Sequence, residues 1–190
     1  TFYHENGQIS LEVNFKDGKE VGKMTTWYKS GRKEEEGNYK DGKQDGKWTE
    51  WHEDGAIVEQ NWKDDIEDGK WTAWHENGKK WYEKNYKNGK KDGKFDNWYL
   101  SGQIGWEENY FDGMKDGKWT EWYENGRQKS ESNYIDGKED GKRTDWHENG
   151  QKKIEQNYKD GTKEGRYTCW HDNGQIWYDK IWQDGKVLDE

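Results

Sequence analysis

The stretch Gly117–Asp140, GKWTEWYENGRQKSESNYIDGKED, decides the fold. Its Asn125-Gly126 step recurs along the whole chain as Asn, Asp or Ser followed by glycine, at Gly7, Gly31, Gly55, Gly78, Gly102, Gly126, Gly150 and Gly174. The spacing is 24 residues at every step except the 23 between Gly55 and Gly78. A period of this size denotes one supersecondary unit stacked on itself. Residues 1–190 therefore read as one array of eight copies, each centred on one of these glycines.

Each copy divides into two strands and two turns. Asn-Gly between alternating apolar residues is the strongest short hairpin signal. A second Asp/Asn-Gly step follows, as at Asp41-Gly42, Asn88-Gly89 and Asp136-Gly137. The 24 glycines interrupt every window long enough to nucleate a helix. The expected fold is all-β: sixteen strands in an elongated, single-layer antiparallel sheet or solenoid of tandem hairpins.

Two ring positions hold in all copies. Four residues before the tip glycine stand Tyr3, Trp27, Trp51, Trp74, Trp98, Trp122, Trp146 and Trp170. Eight residues after it (seven in the third copy, which is one residue short) stand Phe15, Tyr39, Trp62, Tyr86, Tyr110, Tyr134, Tyr158 and Trp182. A three-residue tip with a bulged glycine predicts that both rings, and the Ile9/Ile57/Ile104/Ile176 position, share one face and one core seam. Trp98→Ala is then expected to cost about 3–5 kcal/mol. A base opens the first strand (Lys118 and equivalents), an acid stands in the second (Glu131), and Asn133 follows two residues on. Cross-strand pairing and turn hydrogen bonding are their expected roles.

Composition narrows the function. The apolar fraction is only 27%, yet 15 tryptophans recur at fixed phase, so the core is aromatic rather than aliphatic. The net charge of −9, with both signs interleaved, disfavours nucleic acid and anionic membranes. No run is long and apolar enough for a transmembrane segment, and the lone Cys169 excludes an intrachain disulfide framework.

The repeat resembles the MORN repeat family, most nearly its bacterial YwqK-type, antitoxin-like variant. Gly117-Lys118-Trp119, Asn125-Gly126 and Asn133-Tyr134 through Gly137-Lys138 carry the resemblance, which covers nearly the whole chain. It implies a rolled single-layer sheet of hairpins used as a protein-interaction scaffold, and only weakly an antitoxin role. Asp65 in place of the second-turn glycine, the short strand after Gly55, Arg143 in place of a ring and Ile181 in place of Asn depart from the pattern.

Catalytic, metal and cofactor sites are not expected. His4, His52, His75, His147 and His171 share one repeat position with Tyr28, Tyr99 and Tyr123, so they stand about 10 Å apart, too far to share a zinc ion. Gly42–Lys47 lacks phosphate-loop spacing and Asp64–Gly69 lacks calcium-loop spacing. Each acid has equivalents in the other copies, whereas an active site is singular. The candidate binding residues are rings that vary between copies: Trp48, Trp71 and Trp119, whose position also takes Arg143, and Trp81, Trp106 and Trp177, where other copies carry Ser10, Glu34 or Lys129. Such variation suggests partial exposure and an interaction surface. The expected function is a non-enzymatic, protein-binding scaffold at a bacterial cell surface or in the periplasm, with the cytoplasm as the alternative site. Rival readings are a cell-envelope glycan- or choline-binding module and an antitoxin or immunity partner.

Overall fold

The computed structural model describes residues 1–188, and among them every helix or strand element is a β-strand, 22 in all. The excess over sixteen comes chiefly from two-residue strands after the second turn, such as Lys43–Gln44 and Lys138–Glu139. Contacts group the chain into two compact units, Thr1–Lys91 and Asp92–Glu190, each holding four tips. Within each unit all strand pairs are antiparallel, and a copy's second strand pairs with its own first strand and, where another copy follows in the same unit, with that copy's first strand. Gln128–Ile135, for example, pairs with both Gly117–Trp122 and Gly141–Trp146.

The tip is the expected three-residue loop. In the first copy Gly7 N–H donates to His4 O (2.9 Å) and His4 N–H to Gln8 O (2.8 Å), and Gly7 closes the turn at φ +82°. An L side chain at that φ is strained. The residue before the glycine is Asn, Asp or Ser because its side chain accepts from the amide two residues on: Asn6 from Gln8 (3.1 Å), Asp54 from Ala56 (3.0 Å), Asn125 from Arg127 (3.0 Å). The second turn has two residues, both with positive φ (Asp136 49°, Gly137 81°), which matches the right-handed strand twist. Asp65 takes φ +68° in place of glycine, and its carboxylate accepts from Gln44 N–H at 2.7 Å, which offsets part of that strain.

The expected common seam of rings is not what forms. Glu121 faces Ser130 while Trp122 faces Gln128, so Lys129 is an extra, unpaired residue in the second strand. The same bulge falls at Ser10, Glu34, Trp81, Gly105, Lys153 and Trp177. Because side chains alternate with period 2, one extra residue moves everything after it to the other side. Trp122 therefore shares a face with Lys118, Thr120, Glu131 and Asn133. Tyr134 lies on the opposite face beside Trp119, with ring centroids 5.4 Å apart. The third copy, one residue short, lacks the bulge and keeps the same register, Trp51 facing Ile57 and Glu50 facing Val58.

The ring face is the core. Its buried members include Met24, Trp48, Val58, Ala73, Phe95 and Cys169. Tyr39 meets Trp48 edge to face at 5.1 Å, Trp71 lies 5.1 Å from Trp62 and 5.0 Å from Tyr86, and Phe95 lies 4.9 Å from Tyr110. Each such pair adds roughly 0.5–1.5 kcal/mol beyond area burial. Burial pushes the phenols of Tyr39, Tyr86, Tyr134 and Tyr158 above their ordinary pKa. Trp48 is accommodated only because Gly37 faces it: a Cβ there would sit 2.1 Å from the indole. In the fifth copy the buried ring is Phe95, at 1% exposure, while Trp98 is half-buried on the other face. Phe95→Ala, not Trp98→Ala, is thus expected to cost about 3–5 kcal/mol. Urea-unfolding midpoints of the two variants check this; an equal or larger loss for Trp98→Ala would contradict the face assignment.

Candidate interaction surface

The opposite face carries a recurring cast, with Asp96 in the threonine place of the fifth copy and Arg166 in the lysine place of the eighth. Lysine at the start of the first strand alternates with threonine and then tryptophan, as in Lys118, Thr120 and Trp122, so all three point the same way. Thr25, Thr72, Thr120, Thr144 and Thr168 are buried at its floor, and the tryptophans from Trp27 to Trp170 are half-buried. Base and acid pair across the hairpin in copies two to eight: Lys23–Glu36 3.0 Å, Lys47–Glu59 2.7 Å, Lys70–Glu83 2.7 Å, Lys94–Glu107 3.9 Å, Lys118–Glu131 3.0 Å, Lys142–Glu155 2.8 Å and Arg166–Asp179. The asparagines tie copies together: Asn109 Nδ2 donates to Lys118 O (2.7 Å), and Asn61 makes the same bond to Lys70.

The position shared by His and Tyr also locks neighbouring copies. His4 and His147 use Nε2 on the carbonyls of Trp27 (2.7 Å) and Trp170 (2.9 Å), and Tyr99 and Tyr123 donate O–H to those of Trp122 (2.9 Å) and Trp146 (2.8 Å). The two residue types interchange because each places a donor at the far end of a ring; the carbonyl acceptor assigns the histidine proton to Nε2.

In the first unit this face deepens into a groove of about 350 Å³, lined by Tyr28, Arg32, Lys33, Trp51, His52 and Ile57 among others. Lys33 Nζ stands 5.5 Å above the Trp51 ring and also pairs with Glu36. The groove is mainly apolar, with its cations at the rim.

The sequence-derived candidates are divided by the fold. Trp48, at 1% exposure, lies wholly in the ring core, so the partial exposure expected of it is corrected. Trp71 and Trp119 share its position and are half-buried, Trp119 beneath Lys115 Nζ at 3.0 Å. Trp106 is not equivalent to Trp81 and Trp177: it lies one residue past the bulge, on the ring face, opposite Asn97 and Glu121. Trp81 (42% exposed) and Trp177 (59%) are bulge residues. Each bulge tryptophan lies against the histidine of its own tip, His75 at 5.4 Å and His171 at 6.1 Å. Arg143, in the ring position, holds Glu139 (3.1 Å) and Asp145 (3.2 Å); burial would lower its pKa, but the two carboxylates raise it further. Sequence reasoning missed Trp51, Ile57 and Lys33 as a surface. The signal was present in Lys118-x-Thr120-x-Trp122, where alternation sets the ring beside polar neighbours.

Charge pairing on this face has a pH signature. Hydrogen bonds from Lys33 and Lys23 hold Glu36 below the ordinary carboxylate range, and Lys142 and Lys152 do the same for Glu155. For Glu83 and Glu131 burial works upward, but hydrogen bonds from Lys70 and Lys80 on Glu83, and from Lys118 and Gln128 on Glu131, outweigh it and the net shift is down. A depressed folded-state pKa stabilises the fold above the unfolded value, about 4.3, and the gain is lost as pH falls through the folded values. Urea midpoints are expected to be level near neutrality and to fall below about pH 4.3. Glu36→Gln combined with Glu155→Gln should flatten that fall; an unchanged acid limb would contradict it.

Comparison with protein families matches the sequence model described as MORN repeat variant to residues 1–17, 20–41, 44–64, 67–88, 115–136, 139–160 and 163–184. The unmatched segment contains the fifth tip, where Phe95-Asp96-Asn97 replaces Trp119-Thr120-Glu121, yet its hairpin keeps the common register. A comparison with curated proteins finds no match. With seven matched segments over most of its length, and the same hairpin in both units, the chain belongs to the MORN repeat variant family.

Proposed function

We propose that the protein is a non-enzymatic scaffold, residues 1–190 acting as one array, that binds a protein partner on the tryptophan–lysine–glutamate face. The groove at Trp51 carries this reading. It joins half-buried aromatic surface (Trp51, Tyr28), an aliphatic floor (Ile57) and an arginine (Arg32) at the rim. Aromatic residues and arginine are the side chains enriched where proteins bind proteins. Neighbouring lysines and glutamates already pair with one another, so a partner need not neutralise a strong field. The repetition of each acid and base in successive copies speaks for a surface rather than a reaction centre. The YwqK-type resemblance supports a bacterial source.

A second reading has its own observation. The exposed indoles of Trp81 and Trp177, each backed by a histidine ring, are flat platforms of the kind on which sugars stack or quaternary ammonium groups sit.

Two measurements separate these readings. Wild-type protein used as bait is expected to capture a protein that, once purified, binds at least about tenfold more weakly to a Trp51→Ala, Ile57→Asp variant, a loss of about 1.4 kcal/mol. Capture of nothing, or equal binding to the variant, overturns the first reading. Tryptophan fluorescence titrated with cell-wall glycans and choline tests the second. A response abolished by Trp81→Ala and Trp177→Ala supports it, and a flat titration removes it.

A further inference from the structure

Inside each unit, successive copies meet at two recurring residue pairs, and one of them is constant among the described residues. It sets glutamate on threonine: Glu12–Thr25, Glu36–Thr49, Glu59–Thr72, Glu107–Thr120, Glu131–Thr144 and Glu155–Thr168. The other pair lies on the ring face and varies: Leu11–Thr26, Glu35–Glu50, Val58–Ala73, Trp106–Glu121, Ser130–Asp145 and Ile154–Cys169. Among these, Glu35–Glu50 is the pair that sets like charges directly opposite, an arrangement that weakens strand pairing. Elsewhere the chain answers its own acids in this row. Lys129 Nζ stands 3.1 Å from Glu121, and Asp145 holds Arg143 Nε at 3.2 Å and accepts from Ser130 Oγ at 2.6 Å.

Among the described residues no base acts on Glu35. Thr26 faces it from the preceding strand, Glu50 from the following one, and Glu34 adjoins it in its own. Burial first, then the carboxylates of Glu50 and Glu34, hold Glu35 above the ordinary carboxylate range. Around Glu50 stand Val58, the His52 ring (Nε2 at 3.9 Å from Oε2) and the phenol of Tyr82. Burial pushes the phenols of Tyr82 and of Tyr39, which lies near Glu35, above their ordinary pKa, so both stay neutral here. Lys33 is engaged on the other face with Glu36 and the Trp51 ring.

The same junction lacks the ring-to-carbonyl lock. His4, Tyr99, Tyr123 and His147 each bond the carbonyl of the next copy's tryptophan. By that rule Tyr28 would reach Trp51 O, but it makes no hydrogen bond there and lines the groove instead. The groove crosses the junction: Tyr28, Arg32 and Lys33 come from the second copy, Trp51, His52 and Ile57 from the third.

We infer that the junction between the second and third copies is a joint operated by a proton shared between Glu35 and Glu50. With both carboxylates ionised, repulsion acts across a contact that no ring-to-carbonyl bond reinforces, and the two strands part locally. One proton turns the pair into a carboxylic acid that donates to a carboxylate, and the joint tightens. The two walls of the groove at Trp51 belong to opposite sides of this joint, so the proton also sets their separation. Where that groove is read as the partner site, as proposed above, affinity follows pH; the joint itself needs no partner and is tested without one. A raised carboxyl contributes stability that is complete below the unfolded value, about 4.3, and lost as pH rises through its folded value. That sign is opposite to the one at Glu36 and Glu155, so a local measurement is required.

Hydrogen–deuterium exchange on the 190-residue chain supplies it, read as protection factors, which remove the intrinsic pH dependence of exchange. Strands Lys33–Lys40 and Gly46–Trp51 report on the joint, and Gly69–Trp74 is the reference. The reference strand meets Ile57–Lys63 through the neutral Val58–Ala73 pair, and His52 makes no bond to Trp74 O. It therefore shares the missing lock but not the facing charges. As pH rises from about 4.3 to neutrality, protection at the joint is expected to fall about two- to fivefold relative to the reference. Glu35→Gln should hold the ratio level at its low-pH value. Glu35→Lys should reverse the slope, because Glu50 then ionises opposite a cation. A wild-type ratio that stays constant with pH, a Glu35→Gln variant that keeps the wild-type fall, or a Glu35→Lys variant with the wild-type slope would each overturn the inference.

Discussion

One unpaired residue in the second strand of every copy but the third decides what this sheet presents on its two sides. A β-bulge advances the side-chain alternation by one step. In those seven copies the two rings, which an uninterrupted strand of that length would place together, are thereby sent to opposite faces. The ring after the bulge joins the residue at Trp48, Trp71, Phe95, Trp119 and Tyr167 in an aromatic core. The ring before the tip stays with lysine, threonine and glutamate on a half-exposed surface. The third copy shows that register, not the bulge itself, is the requirement: it lacks the extra residue and reaches the same arrangement.

The junctions between copies are thin in backbone pairing and dense in local side-chain bonds. Recurring ladders of two residue pairs are supplemented by a His or Tyr ring on a carbonyl, an asparagine on a lysine carbonyl, and turn amides such as Gly137 and Gly161, which donate to Lys115 O and Glu139 O of the preceding copy. Each bond is modest, about 1 kcal/mol net, but it recurs in copy after copy and involves nearest neighbours only, so stability accumulates by nearest-neighbour terms. This explains how a chain with so little aliphatic content folds. It also explains why polar residues such as Asn133 and His147 occupy fixed repeat positions: they satisfy backbone groups.

The copies also differ from one another at a few positions. The repeated Lys–Glu pairs and buried threonines build a uniform background. Against it stand the groove at Trp51, the exposed indoles at Trp81 and Trp177, and Arg143 with its two carboxylates in a ring position. Gly37 belongs to the same class of singular residues, because it makes room for one buried indole. These departures give the surface its local identity.

Much was legible from the order of residues alone. The period, the strand–turn alternation, the three-residue tip with its left-handed glycine, the two-residue Asp-Gly turn and the pairing of Lys118 with Glu131 all follow from local rules of backbone conformation and short-range charge. Such features depend on residues close in sequence or directly opposite across a hairpin. The side taken by each ring depended on the bulge, which has no residue signature: Ser10, Glu34, Gly105, Lys129 and Trp177 all serve, because a residue that pairs with nothing is under little chemical restriction. The one-residue deletion after Gly55, with all later pairing intact, was its only trace in the sequence. Tertiary structure alone decided that Trp48 is sealed under Gly37 while Trp51, three residues on, lines a groove, since burial depends on what the neighbouring strand places across from each ring.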